Sequence, residues 1–296
     1  MKTIVVGADG VIGSALAVAL ALQGDFVCAT TRRPNRRGVH LDLSSSDVDA
    51  IQLPEADIAF FCAAITSFAA CRKNEPLARQ VNVTTPALLA RRLVAAGTRV
   101  ILLSTSAVFD WRSPHVRASC PPCPVTAYGK LKAEAETAFS AFGAAASILR
   151  LTKVLTPGDS LFNNWIDDLR QKRAVTAFSD HHMAPVTLDD AVAALLAISR
   201  SSESGVFQIS GAYDVSYYEA ALHLASGLDA ERQSVTEARA SENGVLPEEI
   251  IRYSSLETSR IRALTGWETP DPYSVIDKVF CKRIESARAG ISIGRF

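Results

Sequence analysis

The sequence has no excess charge of either sign and no long apolar run. Its 296 residues include 31 Lys and Arg against 31 Asp and Glu, so the net charge does not predict binding to nucleic acid or to an anionic membrane surface. No apolar run reaches the roughly 18 residues that span a bilayer. A predicted strand begins directly after Met1 and Lys2, so we expect no signal peptide and a cytoplasmic protein.

The six cysteines are scattered, and they form neither a disulfide framework nor a metal site. Cys120 and Cys123 have the spacing of a redox or metal pair, but two prolines separate them and no second pair completes a zinc site. We therefore predict no metal, and at most an adventitious disulfide at this loop. Internal repeats and low-complexity segments are also absent, and 48% hydrophobic with 21% charged residues is an ordinary globular composition.

A glycine-rich turn lies between the first predicted strand and the first predicted helix. The apolar residues 3–6 precede it, and an Ala- and Leu-rich stretch, residues 14–23, follows it. Glycines allow a tight turn and close approach of the backbone to a ligand, while the helix N-terminus faces a pyrophosphate. We therefore predict that this turn binds a dinucleotide through Gly7, Asp9, Gly10, Val11, Ile12 and Gly13.

The second predicted strand, residues 26–30, is followed by arginines instead of the usual acid. An acid at this place binds a ribose 2′-hydroxyl, whereas a guanidinium suits a 2′-phosphate. Arg32 and Arg33 thus favour NADP, with NAD as the other possibility, while Arg36 and Arg37 could equally form a solvated basic turn. Asp42 and Leu43 end the next short strand, near the expected position of the adenine.

Residues 104–132 contain the groups that favour catalysis. Tyr128 and Lys132 are four residues apart in a predicted helix, so their side chains share one face. A lysine cation beside a phenol favours the phenolate, so we expect the pKa of Tyr128 to be lowered toward neutrality. A Ser-Thr-Ser run directly follows the apolar residues 100–103, and hydroxyls at the carboxyl end of a parallel strand can reach a substrate oxygen.

The order of elements predicts the fold class. Strands alternate with helices over the first 150 residues, which indicates an α/β fold with a doubly wound parallel sheet. We assign residues 1–152 to a Rossmann-type domain and residues 153–296 to a smaller substrate-binding region, partly interleaved with the sheet. A long helix is expected over residues 73–96 with a kink at Pro86, and a mobile polar loop over residues 237–244.

Taken in order, these segments resemble the extended short-chain dehydrogenase/reductase family, and within it the dTDP-4-dehydrorhamnose reductases and related sugar-nucleotide enzymes. The resemblance covers nearly the whole chain. It is carried by the glycine motif of residues 7–13, Ala63-Ala64, Asn82, the segment Leu103–Asp110, Tyr128–Lys132 and the segment Asp180–Val186.

The resemblance implies roles for individual residues. Thr105 would hydrogen-bond the reacting oxygen, Tyr128 would transfer its proton, and Lys132 would bind the nicotinamide ribose. Further cofactor contacts would come from Ala63 and Ala64. For Asn82 a role at the cofactor site and a purely structural buried amide are equally open. The substrate would contact Thr105, Asn163, His181 and His182, although a polar loop explains the two histidines equally well.

Departures from the family pattern leave the function open in detail. Cys62, Ser106, Ala107 and Lys153 replace residues that are usual in the related chains, which puts the sugar itself in doubt. We expect an NAD(P)-dependent reductase of a keto group on a nucleotide-activated sugar. The alternatives are an NAD-dependent nucleotide-sugar epimerase and a non-catalytic NAD(P)-binding sensor.

Related enzymes often form dimers through two helices, which correspond here to residues 73–96 and 126–142. Alanines at 133, 135 and 138 would allow close packing between two copies of the chain. We therefore expect a homodimer. The alternative is that these alanines only face the sheet.

Overall fold

The computed structural model describes residues 1–33, 38–45, 47 and 51–288, without the side chains of residues 286–288. Its strands are β1 (Lys2–Val6), β2 (Phe26–Thr31), β3 (Val39–His40), β4 (Ile58–Phe61), β5 (Arg99–Thr105), β6 (Ala146–Leu151), β7 (Val154–Leu155), β8 (Val175–Phe178), β9 (His182–Met183), β10 (Val186–Thr187), β11 (Gly205–Ile209), β12 (Val215–Ser216) and β13 (Val235–Ala238).

The α-helices alternate with these strands in the first half of the chain and cover both faces of the sheet. They are α1 (Val11–Leu22), α2 (Phe68–Lys73), α3 (Glu75–Arg79), α4 (Thr85–Ala95), α5 (Ala127–Ser140), α6 (Ser160–Arg170), α7 (Leu188–Arg200), α8 (Tyr217–Gly227), α9 (Ser259–Thr265) and α10 (Pro272–Arg288).

Within the described residues, the central sheet has seven strands in the order β11-β6-β5-β4-β1-β2-β3. All the neighbouring pairs are parallel. The order reverses between β1 and β4, and open sheets of this type bind ligands beyond the carboxyl ends of the strands at that reversal. The prediction of a doubly wound parallel α/β sheet is confirmed.

The sheet is buried on both sides, as a parallel sheet requires. Every residue of β4 and β6 is buried. One core lies between the sheet and helices α4 and α5, and another between the sheet and helices α1 and α7. A further core packs α6, α8 and α10 against β8. The division at residue 152 stays a prediction; β11, from the second half of the chain, lies in the central sheet.

The long helix predicted over residues 73–96 is found as a helical run from Glu75 to Ala95, with an irregular turn just before Pro86 where the kink was predicted. The chain starts helical at Phe68, breaks at Asn74, and passes through a π-helical turn at Gln80–Thr84 before α4 begins. Pro86 stands in the first turn of α4. A proline removes one helical N–H and clashes with the carbonyl four residues earlier, so the turn before it widens.

The segment 237–244, predicted as a mobile polar loop, is not wholly irregular, and its mobility stays a prediction. It contains the end of β13 and a 3₁₀ turn, Ala240–Glu242. Asp180 accepts hydrogen bonds from the backbone N–H groups of Ala240 and Ser241 and from the Ser241 hydroxyl. In the part of the chain that the structure describes, no helix has the length and apolar character to cross a membrane.

Candidate active site

The glycine turn between β1 and α1 is shaped for a ligand that approaches the backbone closely. Gly7 has φ of +91°, and a Cβ placed there would lie 2.6 Å from the Cβ of Ala63. A Cβ on Gly13 would overlap the carbonyl oxygen of Gly7 and lie 2.9 Å from its carbonyl carbon. No described side chain caps the first turn of α1 at Gly10, so its N–H groups remain available to an anion.

Asp9 joins this turn to the end of β2. Its carboxylate accepts hydrogen bonds from the hydroxyl of Thr31 at 2.7 Å and from the backbone N–H of Arg32 at 3.0 Å. Val11 is exposed and Ile12 is half-buried at the start of α1. The structure therefore gives Asp9 a role in fixing the turn against the strand, in addition to any contact with a cofactor.

Arg32 and Arg33 are both exposed at the end of β2. Hydrogen bonds from the backbone and side chain of Ser44 lower the pKa of Asp42, and the nearby Arg32 cation lowers it further. Leu43 is buried beside them. The predicted 2′-phosphate and adenine residues thus lie close together, while Arg36 and Arg37 lie outside the described residues.

Three predicted catalytic side chains meet at the carboxyl end of β5. Tyr128 is only 9% exposed, and its phenol lies close enough to the Thr105 hydroxyl for that group to act on the pKa of the phenol. The Thr105 hydroxyl also accepts the backbone N–H of Ala107 at 3.2 Å. Lys132, one helical turn beyond Tyr128, donates from Nζ to the carbonyl oxygen of Leu103 at 2.7 Å.

The electrostatics of this group differ from the prediction. Burial raises the pKa of Tyr128 far above its usual value, the nearby Cys71 raises it further, and the hydrogen bond with Thr105 lowers it. The prediction that Lys132 brings the phenol toward phenolate is wrong, because the cost of burying a phenolate dominates. Tyr128 is therefore a protonated acid at neutral pH.

Lys132 is itself affected by burial. Removal from water lowers its pKa to about 8, while the Glu136 carboxylate and Cys62 raise it. Burial raises the pKa of Cys62 to about 12, with Lys132 acting in the opposite direction. Lys132 is consequently mostly an ammonium ion at neutral pH, and it loses its proton as the pH rises through about 8.

Asn82 clamps the chain that follows β4. Its amide accepts the backbone N–H of Ile65 at 2.7 Å and donates to the carbonyl of Ile65 at 2.9 Å. This favours the structural alternative for Asn82. It also fixes the segment containing Ala63 and Ala64, and Ala63 lies against Gly7 as described above.

The predicted substrate residues lie on a different part of the chain, after β6. His181 accepts the backbone N–H of Ile251 through Nδ1 at 3.2 Å, and its ring stacks on Tyr217 with centroids 5.2 Å apart. Burial and the neighbouring His182 together lower the pKa of His181 to about 4, although Asp180 acts in the opposite direction. His181 is therefore neutral at physiological pH. Asn163 donates to the carbonyl of Pro157 at 2.8 Å.

Three residues near this group were not predicted as site residues, although Lys153 was named as a departure from the family pattern; the other two are Asp159 and Tyr217. Lys153 forms an ion pair of 2.7 Å with Asp159, and its charge also acts on the phenol of Tyr217. Tyr217 begins α8 after a capping box between Ser216 and Glu219, a motif that the sequence displays. Among the described residues, no cluster of three or more His, Cys, Asp or Glu side chains could hold a metal ion.

Comparison with known proteins gives a family match over most of the chain. A family model described as the RmlD substrate binding domain matches residues 1–281. Among curated relatives, a probable low-salt glycan biosynthesis reductase, Agl14 of Haloferax volcanii, is 28% identical over 222 residues, covering 71% of this chain and 74% of that protein.

Solved structures share the fold. A dTDP-4-dehydrorhamnose reductase from Bacillus anthracis in complex with NADP superposes with a TM-score of 0.82 at 19% identity, covering 95% of this chain and 98% of that chain. MoeE5 in complex with UDP-glucuronic acid and NAD gives a TM-score of 0.80 at 23% identity, with 98% and 100% covered. The resemblance predicted from the motifs is confirmed.

Proposed function

This chain belongs to the RmlD substrate binding domain family, and from that premise we propose that it is an NADP-dependent reductase of a keto group on a nucleotide-activated sugar. The observation that carries the proposal is the position of a buried, protonated Tyr128 phenol beside the Thr105 hydroxyl at the end of β5. Reduction of a carbonyl builds negative charge on its oxygen, and a positioned acid must neutralise that charge.

The residues present fit a dinucleotide. The turn of Gly7, Gly10 and Gly13, which is too tight for a Cβ at Gly7 or Gly13, would hold the pyrophosphate at the N-terminus of α1. Arg32 would contact the 2′-phosphate. NADPH, when bound, supplies a hydride to the substrate carbonyl.

The chain's own groups handle the proton. In this proposal, the phenol of Tyr128 gives its proton to the substrate oxygen, and the Thr105 hydroxyl orients that oxygen. Lys132 has three donors and uses one on Leu103, which leaves two for the nicotinamide ribose. Its positive charge stabilises the phenolate that Tyr128 becomes after the transfer.

The proposed substrate side consists of Asn163, His181 and His182. The relatives named as reductases and the sugar-nucleotide complexes of structural neighbours support a nucleotide sugar. Cytoplasmic residence and a homodimer remain part of the proposal. Ala135 is fully buried against the sheet, so a dimer would have to use other positions of α5.

The epimerase alternative stays open because MoeE5, which shares the fold, holds a nucleotide sugar and NAD together. A reductase releases its oxidised cofactor in each cycle, whereas an epimerase can retain NAD. We expect protein purified without added cofactor to oxidise NADPH in the presence of a 4-keto nucleotide sugar. Interconversion of intact nucleotide sugars by protein carrying NAD, without net NADPH consumption, would show the epimerase instead.

The second prediction concerns the preference for NADPH over NADH, which we attribute to Arg32. Arg32→Ala should reduce NADPH affinity by about tenfold to a hundredfold, because a charge-assisted hydrogen bond contributes about 1.5–3 kcal/mol. NADH affinity should change little, since NADH lacks the 2′-phosphate. The two affinities can be measured by titrating the fluorescence of the reduced cofactor.

Arg262→Ala is a matched control, because Arg262 is an exposed arginine on α9 that faces Glu268 at 3.8 Å. This control should leave both affinities unchanged. If the native protein binds NADH as tightly as NADPH, Arg32 does not contact a 2′-phosphate.

A further inference from the structure

The last residues of β5 contact one face of the helix α5, each residue with its own partner. Three consecutive residues of β5 contact three residues of α5 that are spaced by four along one helical face. The pairs are Leu103 with Lys132, Ser104 with Glu136, and Thr105 with Tyr128. Two of these pairs contain the proposed catalytic groups, and the remaining pair contains a buried carboxylate that the proposed reaction does not use.

Glu136 is held on the sheet side by a row of polar residues. Ser104 donates to Glu136 Oε1 at 2.6 Å. Arg150 is the register partner of Ser104 on β6, and it contacts both carboxylate oxygens at 2.7–3.2 Å. Gln208, the register partner of Arg150 on β11, accepts from Arg150 at 3.1 Å. Strands β5, β6 and β11 thus build one hydrogen-bonded row beneath α5.

The ion pair is almost completely removed from water, with side-chain exposures of 3% for Arg150 and 4% for Glu136. Burying two charges costs free energy, and a well-packed apolar pair often gives equal or greater stability. Stability alone therefore does not explain this pair. Its position, one turn from Lys132 on the same helical face, suggests an electrostatic task at the active site.

We propose that Glu136, clamped by Arg150 and Ser104, is a positioning residue that keeps Lys132 an ammonium ion directed at the end of β5. The inference rests on the proposed function only in the role it gives Lys132 toward the cofactor. Arg150 neutralises part of the carboxylate charge, but Ser104 and Arg150 also fix the carboxylate so that it cannot turn away.

The charged and polar groups around Lys132 determine whether loss of the Glu136 charge raises or lowers the pKa of Lys132. Tyr128 and Glu136 lie on its own helix, Cys62 follows β4, the carbonyl of Leu103 belongs to β5, and Arg150 on β6 acts from behind Glu136. Glu136 and Cys62 raise the pKa of Lys132, against the lowering by burial. Removing the carboxylate charge while the Arg150 cation stays must lower that pKa.

The test is Glu136→Gln, which keeps the size of the side chain and an oxygen for Ser104. We expect NADPH binding to weaken at a pH about one unit lower than in the native protein. At the native pKa of Lys132 the loss should therefore be about fivefold, approaching about tenfold at higher pH, while binding near pH 6 should be close to native. Because binding is measured without a sugar substrate, this result does not depend on finding the right keto sugar.

Glu134→Gln is the matched control, since Glu134 is an exposed glutamate on the same helix that pairs with Arg79. It should leave the pH dependence unchanged. A purely structural Glu136 would lower the melting temperature of Glu136→Gln without moving the pH profile, and that outcome would overturn the proposal.

Glu136→Gln leaves Arg150 buried without its partner, which can prevent folding. The double variant Glu136→Gln/Arg150→Met removes both charges and carries the test in that case. It should still shift the pH profile downward, by less than the single variant, because the lost carboxylate is closer to Lys132. A folded double variant with the native profile, or one that also fails to fold, contradicts the positioning role.

Discussion

Tyr128→Phe should reduce turnover by about 10²–10⁴-fold, the usual contribution of a positioned general acid. The phenyl ring keeps the packing of Tyr128 against Phe68, whose ring centroid lies 5.9 Å away, and it loses only the hydroxyl. Burial keeps that hydroxyl protonated, so it is the group ready to give a proton to a developing oxyanion. NADPH binding should remain near the native level.

Single-turnover hydride transfer and cofactor affinity should be measured separately on the same preparations. Tyr213→Phe makes the same chemical change at an exposed tyrosine that hydrogen-bonds Asp271, and it should turn over at the native rate. If Tyr128→Phe also reacts at the native rate, Tyr128 has no part in the proton transfer.

The fold and the cofactor side of the site could be predicted because their signals are local. A strand, a glycine turn and a helix follow one another within residues 2–22, and Gly7 and Gly13 are required by contacts inside that segment or with Ala63. The four-residue spacing of Tyr128 and Lys132 likewise fixes their common helical face. Such relations do not depend on how distant parts of the chain pack.

The electrostatics could not be predicted in the same way. The spacing of Tyr128 and Lys132 suggested a mutual effect, but the pKa of each group is governed mainly by burial, which distant elements create. Cys71, which raises the pKa of Tyr128, comes from α2, whose position depends on the break at Asn74. The break carries a helix-start pattern, since Asn74 caps α3 and Pro76 stands in its first turn, whereas Pro86 is the only such signal near the π-helical turn.

The proposed substrate side also depends on contacts between distant parts of the chain, which local sequence patterns do not show. Lys153, Asp159 and Tyr217 meet although Tyr217 follows the other two by more than 50 residues. The sequence marks Tyr217 as a helix start through its capping box, but nothing local shows that its phenol faces the Lys153 ammonium. Side chains recruited from separate loops are therefore visible only after the chain has folded.

Gly129→Ala should destabilise the protein by about 1–3 kcal/mol, the range expected for overpacking. Gly129 lies in the first turn of α5, where alanine would favour the helix by roughly 0.5–1 kcal/mol. However, a Cβ at this position would overlap the carbonyl oxygen of Ala107, lie 3.0 Å from its carbonyl carbon and lie 3.1 Å from the Cβ of Pro124. The clash with fixed backbone outweighs the helical preference.

The same substitution should also reduce turnover, by up to about a hundredfold, because a displacement of roughly 1 Å at reacting groups has that effect. Ala107 is tied to Thr105 by the hydrogen bond to its hydroxyl, so moving α5 away from Ala107 separates Tyr128 from Thr105. Gly158→Ala is the control: its Cβ would lie 3.8 Å from the hydroxyl of Thr156, an ordinary contact. Thermal unfolding and turnover of the two variants should differ clearly, and equal stability would show that α5 does not depend on close approach at Gly129.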